Sequence, residues 1–342
     1  MRMNNFYSGN RPFIRHRVSI ATVLLACAFL SACKPSTRQD PPPEKVTIAI
    51  SATIDATLAQ VAQQNGYFSD EGLDAALLIE PYGKLALQDV LDKKATFATV
   101  AETPFMLAVL NGANVSILAT IQSSQRDNIL LARADTIRAF SDLKGKKIAT
   151  TRGTTSDYYL YSLLSANGIG RDDVNLVEMN MENMPAAIAR GDVDAIATFS
   201  SYAIPTRNRL GKNGIVFHDD HIYTSSFTIA APDTFLRERP QTAEKLLRAL
   251  VRAAEFVHNK PEQAQKIVAD FCGIDVRFIR EAWAWQRFDI SLDQSLLLAL
   301  EDEARWAIRN KLTRAKAIPN FLDHIYLDGL SAVSPNAVRI LK

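Results

Sequence analysis

Hydrophobic and polar positions along this chain switch between two periods. Short apolar runs of β type, KVTIAIS (45–51), AALLIE (75–80), FATVA (97–101) and VSILAT (115–120), alternate with stretches whose apolar residues recur every three to four positions. The runs predict strands and the stretches between them helices, an alternation that marks α/β folds with largely parallel sheets. Helices are expected over 55–65, closed by Gly66, and around 85–92. A third opens with Thr103 as its cap and Pro104 at its first position.

A second set of strands follows at 129–133, 147–151, 174–179, 194–199 and 214–218, with 227–231 the last. Between them lie helices at 156–166 and 184–190, the latter stopped by Gly191. From 234 to 312 the pattern is almost purely helical, with Leu247, Leu250, Val251 and Ala254 at core spacing. The Pro-punctuated tail, 318–341, is expected to wrap one domain. The chain thus forms one domain, leaves it for a second, and returns.

The start of the chain reads as an address. Arg2, Arg11, Arg15 and Arg17 precede a short apolar run, 18–30, which closes on Leu30-Ser31-Ala32-Cys33. That run is too short to span a bilayer comfortably, so a cleaved signal over 1–32 is expected. The closing tetrapeptide resembles the lipobox of bacterial lipoproteins, which implies lipidation of Cys33 and a membrane contact through that lipid alone. Residues 33–44, with Pro35 and Pro41 to Pro43, then read as a polar tether.

Composition narrows the rest. The chain has three Cys; Cys27 leaves with the signal and Cys33 takes lipid, so Cys272 is left without an intramolecular partner. Its surroundings, FCGID, look like packing. Hydrophobic residues make up 47% and charged residues 22%, a globular balance, and a net charge of +2 argues against nucleic acid as a partner. No Gly-rich nucleotide loop with a following Lys occurs, so ATP hydrolysis is not expected of this chain. Ser141-Asp142-Leu143-Lys144 and His218-Asp219-Asp220-His221 imitate catalytic and metal-binding patterns, but adjacent residues on turns point apart, and neither a metal nor a cofactor is expected.

The segment with the most concentrated chemistry is IATTRGTTSDYYLYSLL, 148–164. Gly153 allows conformations that side chains forbid, and Thr154, Thr155, Ser156 and Asp157 are residue types that open helices. Such a helix start presents unpaired N–H groups and the positive end of the dipole, which suits a binding site as well as a cap. Arg152 adds a fixed cation, whereas Asp157 is expected to serve the dipole.

Together with NGYFSDEGLDAALLIEPYGK, DVLDKKATFATVAETPFMLAVLNGANVSILAT, DLKGKKIATTRGTTSDYYLYSLLSANGI and AAIARGDVDAIATFSSYA, the chain resembles the periplasmic substrate-binding proteins of ABC importers for alkanesulfonates, taurine and nitrate, a family that includes binders of the thiamine pyrimidine precursor. The resemblance covers essentially the whole body after the tether. It implies a two-lobed Venus-flytrap fold of type II with two hinge strands, near 127–131 and 226–230. Lobe I would comprise 45–128 and 231–342, and lobe II 129–230.

It further implies an extracytoplasmic, monomeric, non-enzymic binder that delivers a small polar organic solute, sulfonate-, taurine- or nitrate-like, to a permease with separate ATPase subunits. An N-heterocycle or amine solute, or a pyrimidine-precursor enzyme on the same fold, is the alternative. The positions implied at the ligand are Thr53 and Asp55 after the first strand, Tyr82 and Gly83 after the second, and Glu102 and Thr103 after the third. Gln122 and Ser123 follow the fourth; the second lobe adds Arg152, Gly153, Thr154, Thr155 and Ser156, with Phe199, Ser200 and Tyr202 as a wall opposite Tyr82. Glu102 departs from the family pattern, because a carboxylate beside an anion repels it unless it faces a cationic or N–H-rich group.

Overall fold

The computed structural model describes residues 42–341. Two large sheets organise them, beside a two-stranded one. In the first, β1 (Glu44–Ser51) pairs in parallel with β2 (Leu73–Glu80) and β3 (Phe97–Ala101). The second contains β5 (Asn128–Arg133), β6 (Lys147–Thr150), β7 (Asn175–Glu178), β8 (Ala195–Phe199) and β9 (Gly214–Phe217) in the order β7-β6-β8-β5-β9. Long β4 (Val115–Ser124) belongs to the first sheet, and β10 (Ser225–Pro232) inserts antiparallel between β3 and β4.

Near-continuous apolar strands explain why both sheets are sandwiched rather than one-faced. Every residue of β3 and of β8 is buried. The helix Pro240–Asn259 covers the first sheet with Leu246, Leu247, Leu250, Ala253 and Val257, the three-to-four spacing read in the sequence.

The chain crosses between sheets twice, at 125–127 and at 218–224. Both crossings fall slightly before the positions expected of them. All of β10, including 226–230, is already hydrogen-bonded into the first sheet, because its antiparallel register with β4 begins at Ser225 opposite Ser124. The stretch expected to be almost purely helical also holds two short strands, β11 (Gln286–Arg287), which pairs with the end of β4, and Leu292–Asp293.

A third difference concerns the helix Glu102–Leu110. Its cap is Ala101, in extended conformation, so Glu102 rather than Thr103 stands at the helix start. The helix Thr155–Ala166 begins within one residue of expectation, and Gly191 ends the helix Met184–Arg190 with φ of 80°, whereas the helix Ser200–Leu210 was not expected. Among the described residues, no helix is long and apolar enough to cross a membrane. Residues 1–32 and Cys33, on which the export and lipid expectations fall, lie outside the described residues.

Candidate functional site

The carboxyl ends of the parallel strands, Ser51, Ala101, Thr150 and Phe199, are where open α/β sheets place ligands. Here those ends from the two sheets come together. The backbone N–H of Ile54 reaches Ser201 Oγ at 3.4 Å, Tyr202 Oη donates to the Pro81 carbonyl at 3.3 Å, and Lys84 Nζ donates to the Arg152 carbonyl at 2.8 Å. Tyr82, from the loop after β2, is buried in the apolar cluster of the second sheet beside Met184, Ile196 and Phe199. The aromatic pair expected to face each other, Tyr82 and Phe199, thus share one cluster.

Between these contacts lies a concentration of buried polar side chains. Thr53, Asp55, Glu102, Thr103, Gln122, Thr154, Thr155, Ser156 and Ser200 are all buried, at the positions the sequence singled out. Ser51 Oγ and Thr53 Oγ1 hydrogen-bond at 2.8 Å, and Gln60 donates to the carbonyls of Ser51 and Thr53, which fixes the loop carrying Asp55. Gln122 bonds Gln286 on β11, so the unforeseen short strand anchors this residue.

Asp127, in the first crossing, accepts from Ser200 twice: side chain to side chain at 2.6 Å, and Ser200 N–H to the Asp127 carbonyl at 2.7 Å. Glu102 accepts from the hydroxyl of Tyr223, in the second crossing. That hydroxyl also lies 3.2 Å from Glu303 on the helix Gln294–Arg309. Tyr158 packs edge-on against both Tyr223 and Trp306, each at 5.2 Å between ring centres, so the helix after Gly153 is tied to the first-sheet half through this cluster.

Burial dominates the electrostatics. It pushes Glu102 up to about 7 and Asp127 up to about 6, and holds Asp55 and Glu303 well above the usual carboxylate range. The neighbouring acids add to this: Asp127 and Glu102 raise Asp55, and Glu102 raises Glu303. Asp55 Oδ1 and Glu102 Oε2 are buried with no hydrogen-bond partner. Cys272, near Asp55, is pushed up to about 12 by burial, so its thiol stays protonated and is a poor nucleophile.

Two expected residues lie elsewhere. Arg152 is exposed; its guanidinium lies 3.5 Å from the Lys311 carbonyl and, with Gly153 from its own half and Lys84 and Leu107 from the other, it lines an open groove of about 560 Å³. Ser123 is half-buried and lines a different groove with Arg126 and Trp285, because alternate residues of β4 face opposite ways and Gln122 takes the inward position. Gly153, with φ of 72°, makes its backbone N–H available to Asp157 Oδ2 at 3.0 Å. Asp157 therefore serves the helix end, as expected, and Thr154 bonds Thr151 and Ser156 rather than capping. Gly83 has a packing reason: a Cβ there would lie 2.9 Å from the Phe227 ring and 3.0 Å from the Thr99 carbonyl oxygen.

Asp127, Tyr223 and Glu303 were not among the residues expected at the site. Glu303 does carry a signal, since it falls on the apolar stripe of Leu296, Leu300, Ala304 and Ala307, an odd place for an acid.

Two sheets, each a parallel core with an inserted antiparallel strand, joined by two crossings and enclosing polar groups at their carboxyl ends, make up the fold of the periplasmic binding proteins. The NMT1/THI5-like family matches residues 54–264, and the chain belongs to that family. Among its relatives is a Brucella abortus (strain 2308) protein named as a binding protein, 24% identical over 226 residues, covering 64% of this chain and 68% of that protein. Another is the formylaminopyrimidine-binding protein of Halalkalibacterium halodurans, 21% identical over 262 residues, 73% of this chain and 77% of that one. The crystal structure of the periplasmic aliphatic sulphonate binding protein of Escherichia coli superposes with a TM-score of 0.72 at 17% identity, covering 83% of this chain and 92% of that one. This last likeness establishes the fold.

Proposed function

We propose that the chain is the extracytoplasmic solute-binding component of an ABC importer, anchored by lipid at Cys33, which encloses a small polar organic solute between lobe I (45–128 and 231–342) and lobe II (129–230). The carrying observation is the buried polar interior at the meeting of the strand ends, where Asp55 and Glu102 keep unpartnered oxygens that water cannot reach. Thr53, Gln122, Ser200 and Tyr202 complete its walls, and the two crossings serve as hinges.

Relatives named for sulphonate and for formylaminopyrimidine bracket the solute: sulfonate-, taurine- or nitrate-like on one side, an N-heterocycle or amine on the other. Glu102 favours a group with N–H donors within that bracket. A pyrimidine-precursor enzyme on this fold gains no support from Cys272, whose thiol is held protonated.

Small-angle X-ray scattering of the full chain during solute titration tests hinge closure. A saturable decrease in radius of gyration supports it, and a constant radius with bound solute argues against it. Replacing Cys33 by Ala is expected to release the chain from the membrane fraction of its host; retention there removes the anchor from the reading.

A further inference from the structure

We propose that the captured solute presents a positively charged nitrogen, an ammonium, amidinium or protonated aminoheterocycle, to Asp55, Glu102 and Asp127. This rests on the reading that the interior between the lobes is a solute site, and it adds the charge of what enters.

The three acids come from separate parts of the chain: the loop after β1, the helix start after β3, and the first crossing. They are 5%, 0% and 4% exposed. One oxygen of Glu102 is held by Tyr223 and one of Asp127 by Ser200, while Glu102 Oε2 and Asp55 Oδ1 have no partner. Among the described residues, no buried polar side chain is Lys, Arg or His. Nothing in the protein therefore balances a negative charge here.

Ionised carboxylates are acceptors only, and removing one from water without a counter-charge is expensive. A cation with N–H donors meets both needs at once, whereas an anion at the same place adds like charge. Two features that would hold an anion do not face these acids. Asp157 already takes the N–H of Gly153 at the start of the helix Thr155–Ala166, and the guanidinium of Arg152 lies outside. A zwitterion such as taurine is admitted through its ammonium end. Glu303 stands behind Tyr223 and acts as a positioning residue, keeping that hydroxyl, and through it Glu102, in place.

The test is calorimetric titration of the full chain with agmatine, 4-amino-2-methylpyrimidine and taurine, set against ethanesulfonate and nitrate. Saturable binding of a nitrogen cation is expected, weakened at least about tenfold by Asp55→Asn and by Glu102→Gln. Glu102→Gln is also expected to unfold at a higher midpoint than the parent without solute near pH 8, since it removes an uncompensated buried charge, and a cooperative transition in both variants is the check that they fold. Ethanesulfonate or nitrate binding that survives or strengthens in the variants overturns the charge assignment and leaves solute capture standing. A cation held equally by parent and variants overturns the site, and titrations flat for probes of both charges overturn capture as well.

Discussion

Glu102 shows how one side chain couples stability to function. Its ordinary value is 4.5, and burial, opposed by the hydrogen bond from Tyr223, raises it to about 7 in the folded chain. Between those values the unfolded chain has lost the proton that the folded chain keeps, so this group's contribution to stability is full below about pH 4.5 and declines as pH rises to about 7. A difference of that size corresponds to something on the order of 3 kcal/mol. The groups facing it, Tyr223, Glu303, Asp55 and Asp127, are neutral or acidic, so none reverses the sign. Urea unfolding of the solute-free chain near pH 5 and near pH 8 is expected to show lower stability at the higher pH, and Glu102→Gln is expected to flatten that difference. An unchanged slope in the variant would place the pH dependence elsewhere.

Among elements, the best-read ones carry their own periodicity. The helix Pro240–Asn259 and the buried strands β3 and β8 were legible because pattern and packing agree. β11 was not, since two residues become a strand only through pairing with β4, more than 160 positions away in sequence. The same holds for Asp127, whose burial depends on Ser200, 73 positions on, and leaves no local trace in QSSQRDN. Of the hydroxyls at 154–156, all implied at the ligand, two bond one another. Gly83, among the positions implied at the ligand, also carries a packing constraint. Gly83→Ala brings Cβ within 3.0 Å of both Phe227 and a backbone oxygen, and is expected to cost about 1–3 kcal/mol in urea unfolding. A neutral substitution would mean that the helix Gly83–Leu91 shifts freely over β3 and β10.

At the scale of the whole molecule, strands that leave the first sheet at β4 and return at β10 make each half a complete layered unit, and the polar interior forms only where the halves meet. Ion pairs on the outside are mostly exposed and add little; the apolar clusters and the contacts of Tyr82, Tyr158 and Tyr202 hold the halves together. Ligand linkage follows directly, because a solute that bridges the halves binds the folded chain and not the unfolded one. Thermal unfolding of the full chain across a panel of small polar solutes tests this most directly. At least one solute is expected to raise the midpoint by several degrees, saturably with concentration, as mass action requires for about 3 kcal/mol of linked stability at a hundredfold excess over the dissociation constant. A midpoint that stays constant for every cationic, zwitterionic and anionic solute at millimolar concentration would contradict solute capture.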